Sequence, residues 1–266
     1  MHLACASPLT STSTKTSFEW KPAHTAAQPV LLNVPLERGV NCPIYWMPHD
    51  AARTTLALFP GGVGSLAYDA TTNAPLSKNF LIRSRELFHK AGFNIACVDR
   101  PQDRTDLELP YRKSAEHICD IRTILLYLKK LAPVTLWLVG TSRGTVSAAS
   151  ATIDSPDLVA GLVLTASITM PGHEDNVQSL ELGNISVPTL VLHHRKDACW
   201  LCPPEPARYI LSGLKNSPLK KLVFISGGSG ASGDPCMPLH FHGFINQEEE
   251  AVIRIASWIR NASGAC

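Results

Sequence analysis

Charge is scarce in this chain: charged residues are 17% of 266, and the net charge is only +2. There is no basic stripe and no run of like charge, so the electrostatic footprint of a nucleic-acid or anionic-membrane partner is missing. No apolar stretch approaches the roughly 18 residues needed to span a bilayer. No internal repeat occurs at any period between about 20 and 50 residues, which argues against a solenoid or propeller. The one glycine-rich loop, Gly61-Gly62-Val63-Gly64, lacks the G-K-[ST] ending and the G-x-G-x-x-G spacing of nucleotide sites. Zinc would need a second ligand pair to match Cys199-x-x-Cys202, and there is none. A thioredoxin-like motif would open a helix where Pro203-Pro204 follows instead. Neither metal nor cofactor is expected.

Cysteine is the exception. The chain has eight: Cys5, Cys42, Cys97, Cys119, Cys199, Cys202, Cys236 and Cys266. That is too sparse for a disulfide scaffold and more than most cytosolic enzymes carry. Met1 to Ser17 is rich in Ser, Thr and Ala and has no apolar h-region. Residues 1–29 are therefore read as a flexible lead-in rather than an intact signal peptide. Leu3-Ala4-Cys5 resembles a lipoprotein cleavage site, but over so few residues that chance accounts for it. The remaining 30–266 suits one domain with a large core.

Strand-like and helix-like segments alternate. Val30–Val34, Ile44–Trp46, Thr54–Phe59, Phe93–Val98, Val134–Val139, Leu158–Ala166, Thr189–His193 and Lys221–Ser226 read as strands. Helical spacing joins Phe80, Ser84, Leu87, Phe88 and Ala91, with Gly92 as C-cap, and recurs over Ser114–Leu131, Val146–Ile153, Pro206–Leu214 and Glu248–Arg260. The glutamates Glu248, Glu249 and Glu250 fall where the dipole of the last helix favours them. Nearly continuous Val/Ile/Leu strands between amphipathic helices specify an α/β fold with a mostly parallel central sheet and helices on both faces. Ligands of such sheets bind at the carboxyl ends of the strands, so the loops after strands are where chemistry is sought.

Gly140-Thr141-Ser142-Arg143-Gly144 is the chain's G-x-S-x-G. The pattern alone is weak, but it follows an apolar strand and precedes a helix, the setting a nucleophile elbow requires. Ser142 is the candidate nucleophile; an ordinary N-cap serine is the plain alternative. A hydroxyl needs a base, and the base needs an orienting carboxylate. Asp197 lies just past the strand ending at His193-His194. His242 lies in a loop before the last helix, and Gly243 after it suits a residue held in an open loop. His240 is the rival base. Glu174, Asp175 and Glu181 are alternative acids, Asp99 is a poorer one, and His193 and His194 read as structural. For an oxyanion, the Arg143 N–H is one donor, and Gly62, with Val63 next, is the other. Arg143 could also attract an anionic substrate, but a solvated first-turn residue is the simpler reading.

Together these elements resemble the α/β-hydrolase superfamily over about Thr54 to Arg260. Leu58-Phe59-Pro60-Gly61-Gly62, the elbow, His193-His194-Arg195-Lys196-Asp197-Ala198-Cys199, and Asp234-Pro235-Cys236 with Phe241-His242-Gly243-Phe244 look like a small group of bacterial hydrolase-like proteins. The resemblance implies an α/β-hydrolase fold and a serine esterase that cleaves carboxylic esters through an acyl-enzyme. The chain departs from common esterases in showing Pro-Gly-Gly where many have His-Gly, which leaves the second oxyanion donor open. Only about twenty residues separate Ala166 from Val187, so the cap should be minimal or absent. An open site suits a small-molecule ester, short-chain or bulky, better than a long acyl chain. Acyl transfer, thioester or amide cleavage, and a non-catalytic binding role on the same fold are the competing readings.

If Asp197 and His242 meet, their loops run side by side. Cys199, two residues after the acid, then comes within bonding reach of Cys236, six before the base. Cys202 competes for Cys236, and free thiols are the plain alternative. A Cys199–Cys236 disulfide would indicate an oxidising, periplasmic or extracellular location, and its absence a cytoplasmic one.

Overall fold

The computed structural model describes residues 28–264. The short match Leu3-Ala4-Cys5, and all of the expected lead-in except Gln28 and Pro29, lie outside the described residues. The chain opens with β1 (Val30–Pro35), β2 (Asn41–Met47) and β3 (Thr54–Phe59). Two short helices, α1 (Phe80–Arg83) and α2 (Arg85–Lys90), lead to β4 (Asn94–Val98). Next come α3 (Leu109–Arg112), α4 (Ala115–Leu131), β5 (Thr135–Thr141), α5 (Gly144–Asp154) and β6 (Gly161–Thr165). The chain continues through β7 (Thr189–His194), α6 (Ala207–Gly213), β8 (Lys220–Ile225) and α7 (Glu248–Ala262).

The eight strands form one sheet in the order β1-β2-β4-β3-β5-β6-β7-β8. Only β1 with β2 and β2 with β4 pair antiparallel; every other pairing is parallel. β3, β4, β6 and β7 are buried along their whole length, as expected of strands with helices on both faces. Alternation divides their side chains. Leu136 and Leu138 of β5 pack with Ile121 of α4, Val146 of α5 and Ile210 of α6. Trp137 and Val139 of the same strand point the other way, to Phe80, Phe88, Ile255 and Ile259. No helix among the described residues is long and apolar enough to cross a membrane.

Two local features differ from the sequence reading. The expected helix over 80–91 breaks at Ser84, where the backbone leaves helical geometry (ψ 3°) but keeps its hydrogen bond to the Phe80 carbonyl at 3.0 Å. Four-residue α3 was not anticipated, because one turn, with Pro110 near its start, is too short to show a period.

Gly161 of β6 lies opposite Trp137 in the parallel ladder, and a Cβ there would collide with the indole ring. Trp137 is fully buried and cannot swing away. Gly161→Ala is therefore expected to cost about 1–3 kcal/mol through overpacking. Urea unfolding measures this, and an unchanged midpoint would mean that the indole has room to shift.

Candidate active site

The site is built at the carboxyl ends of β3, β5, β6 and β7. Three backbones converge there, and only glycine fits between them. A Cβ on Gly144 would strike the Phe59 carbonyl of β3. One on Gly140 would lie 2.5 Å from the Gly144 carbonyl oxygen, and one on Gly61 would lie 2.7 Å from the Ser142 Cβ. With no slack left, the turn between β5 and α5 closes through a left-handed Ser142, φ 51°. For a side-chain-bearing residue that conformation costs about 1–2 kcal/mol. The surroundings hold it: the Ser142 N–H donates to the Thr165 carbonyl at 3.0 Å. The Ser142 carbonyl accepts from the Thr145 N–H at 2.9 Å and from the Thr145 hydroxyl at 2.6 Å.

Beyond β7, Asp197 is buried to the last side-chain atom, and both of its oxygens are occupied. Oδ1 accepts the Cys199 N–H at 2.9 Å, and Oδ2 lies 2.9 Å from His242 Nδ1. His242 sits on a single 3₁₀ turn, Phe241–Gly243. The loop before it is closed rather than open. Gly243 is buried, and a Cβ there would meet the Pro238 carbonyl. The Gly243 carbonyl accepts a hydrogen bond from Arg83, which also pairs with Glu248 of α7 at 2.8 Å. Phe241 stacks on His194, with ring centroids 4.8 Å apart. The imidazole position is thus set from three sides.

Among the described residues no hydrogen bond joins Ser142 Oγ to His242; Ser142 Oγ lies 4.0 Å from the Cys202 thiol. The N–H groups of Gly62, Val63 and Arg143 donate to no acceptor among the described residues, so all three are available to an incoming oxygen.

The rival candidates lie apart from the Asp197–His242 pair or are bonded to other groups. His240 has neither a hydrogen bond nor an ion pair to Asp197, and its Nδ1 has no partner among the described residues. His193 Nε2 accepts the Ser167 N–H at 3.0 Å, and burial lowers its pKa to about 4, which keeps it neutral. His194 accepts the Lys196 N–H and bonds to the Gly227 carbonyl. Asp99 caps the Leu66 and Arg100 N–H groups. Asp175 pairs with Lys113 at 2.6 Å, and Glu174 and Glu181 are exposed. Arg143 lies 3.7 Å from Asp106, the nearest carboxylate.

Sequence reasoning missed the place of Cys202 beside Ser142. Burial holds its thiol pKa well above the usual value, so it stays protonated. Sulfur and nitrogen atoms of Cys199, Cys202 and His242 lie within 4.8 Å of one another, a spacing a metal could use. Cys199, however, is disulfide-bonded to Cys236, and a disulfide sulfur is not a thiolate ligand.

No protein-family model matches the chain, and no curated protein matches it in sequence. Solved structures do match in shape. An esterase from Pyrococcus furiosus superposes with a TM-score of 0.66 at 13% identity, over 94% of this chain and 97% of that one. A dienelactone hydrolase from Anabaena variabilis gives 0.62 at 16%, over 88% and 98%. A serine hydrolase without a lid from Xanthomonas campestris gives 0.57 at 15%, over 91% and 96%. The chain has the α/β-hydrolase fold. Its link between β6 and β7 contains no helix longer than two 3₁₀ turns, Val177–Ser179 and Leu182–Asn184.

Asp197 and His242 arrive on separate loops, and the Cys199–Cys236 disulfide joins them, with Cα atoms 4.4 Å apart across 37 residues of sequence. Closing a loop of that length contributes about 4 kcal/mol in the chain-entropy model. Cys236→Ser is expected to lower the unfolding free energy by up to that amount. Urea midpoints of Cys236→Ser and of the unaltered chain, both without reductant, test this; midpoints that coincide would show that the bond stabilises nothing.

Proposed function

We propose that this chain is a serine hydrolase of carboxylic esters. The observation that carries the reading is the buried Asp197–His242 pair at 2.9 Å, set on the same sheet edge as a serine in a strained left-handed turn. A neutral His242 takes the Ser142 hydroxyl proton on Nε2 as Oγ attacks the ester carbonyl. Asp197 fixes the tautomer with Nδ1–H toward the carboxylate and stabilises the imidazolium that forms. The developing oxyanion is held by the Arg143 N–H and by the oxyanion loop, through Gly62 with Val63 beside it. His242 then gives its proton to the leaving alcohol, and water repeats the sequence to release the acid. Two N–H donors on that loop and one at the elbow, without an acceptor among the described residues, support this assignment.

Hydrolysis is favoured over acyl transfer because two 3₁₀ turns are too little chain to shield an acyl-enzyme from water. The same openness favours short or bulky small-molecule esters. The disulfide favours an oxidising location, periplasmic or extracellular.

A fluorophosphonate probe is expected to label the chain at Ser142 and to leave Ser142→Ala unlabelled; equal labelling of both would discard the nucleophile. On p-nitrophenyl esters, Asp197→Asn should lose roughly 10³–10⁴-fold in kcat, because the wrong imidazole tautomer faces the serine. His242→Ala should lose at least as much, and His240→Ala should stay near the unaltered chain. The reverse order of the two histidines would move the base to His240.

A further inference from the structure

Arg112 is a large cation in a place where cations are rarely left. It is 1% exposed, forms no ion pair among the described residues, and ends the one-turn α3 just behind the proposed oxyanion loop. Burial lowers its pKa to about 9. An arginine retained there against so much desolvation needs acceptors, and each of its three nitrogens has one. Nε donates to the Leu107 carbonyl at 2.8 Å, Nη2 to the Gly62 carbonyl at 3.0 Å, and Nη1 to the Ser147 hydroxyl at 3.0 Å. Ser147 belongs to α5, the helix that begins at the elbow. Its oxygen also lies 2.9 Å from Nε2 of the buried His117.

We infer that Arg112 is a positioning residue that ties the two halves of the oxyanion hole to each other. This rests on the proposed hydrolytic reading of the site. The guanidinium is a planar fork, so it fixes the Gly62 carbonyl relative to Ser147 in direction as well as distance. In a trans peptide the N–H points opposite to the carbonyl before it. The Gly62 carbonyl is drawn inward by Arg112, so the Val63 N–H faces away from the guanidinium. The Gly61 carbonyl is held by the Gly64 N–H at 3.2 Å, and this orients the Gly62 N–H in the same way. The Val63 carbonyl takes the Leu107 N–H at 3.1 Å, one residue from α3's N-cap, Glu108. Every carbonyl of the loop from Gly61 to Val63 therefore has a donor, and among the described residues the N–H groups of Gly62 and Val63 have no acceptor. No glycine-rich loop holds such an arrangement by its own propensity. A lysine in place of Arg112 offers a point charge and cannot reach both carbonyls and the hydroxyl in one plane.

The test uses Arg112→Met and Arg112→Lys in the full chain, with Ser147→Ala as a milder variant should Arg112→Met fail to fold. Misplacing a donor by about 1 Å costs on the order of 10²-fold in rate. Arg112→Met is expected to lose roughly that in kcat on p-nitrophenyl acetate, with KM little changed, and Ser147→Ala a smaller part of it. Arg112→Lys should recover stability more than rate. A boronic acid that forms a tetrahedral adduct at Ser142 should weaken in parallel with kcat. Unchanged kcat and boronate affinity in a folded Arg112→Met would overturn the inference, as would a loss seen in KM alone. Amide exchange gives a readout independent of ester cleavage. The Gly64 and Leu107 N–H groups close the loop and should exchange faster in Arg112→Met, even if the chain proves to cleave no ester. Unchanged exchange at both would overturn the positioning role, whereas a wild-type chain inert to esters and phosphonate with accelerated exchange would overturn only the hydrolytic reading.

Discussion

Backbone-to-backbone contact at the end of β5 governs the rest of this site. Phe59, Gly140 and Gly144 approach so closely that no side chain fits between them, and the turn closes only by driving Ser142 into left-handed geometry. That conformation costs free energy locally and persists because Thr165 and Thr145 hold it from both sides. It lifts the hydroxyl off the sheet edge and brings the start of α5 against the loop after β3. Everything else at the site is arranged around a serine whose position is already settled by packing.

The second requirement is that two distant loops deliver a buried carboxylate and an imidazole to the same point. An unpaired buried carboxylate would be costly, and Asp197 avoids this with one backbone N–H and one imidazole nitrogen. The histidine turn has little freedom of its own. Pro238 packs against Gly243, Arg83 joins the turn to α7, and Phe241 lies flat on His194. The Cys199–Cys236 bond spans both loops and makes their separation a covalent matter. It also removes a thiolate from a cluster that otherwise resembles a metal site.

The two sides of the site are secured by different chemistry. The Asp197–His242 side relies on a disulfide, stacking and a part-buried ion pair. The loop after β3 relies on buried hydrogen bonds centred on one guanidinium, with Ser147 and His117 behind it. His117 is kept neutral there, its pKa lowered to about 3 by burial and the neighbouring arginines. A neutral imidazole beside a buried cation adds no further charge to a region that already carries one.

Sequence alone determined the parts of this protein that depend on local pattern. The apolar runs of β3 and β5, the apolar faces of α4 and α7, the strand–turn–helix setting of Ser142 and the strand-end place of Asp197 were all legible. They follow from how few ways an apolar strand or an amphipathic helix can bury itself. The pairing of Cys199 with Cys236 was legible too, once the two loops were assumed to meet. Tertiary structure decided what depends on distant neighbours. Only it shows why Gly243 is small, that the helix after β3 breaks at Ser84, and that Cys202 lies beside Ser142. Arg112 is the sharpest case. In sequence it is one more cation in a polar stretch between elements, and α3 is too short to leave a period. Its importance comes from Gly62, fifty residues before it, and Ser147, thirty-five after, and no pattern local to Arg112 contains either.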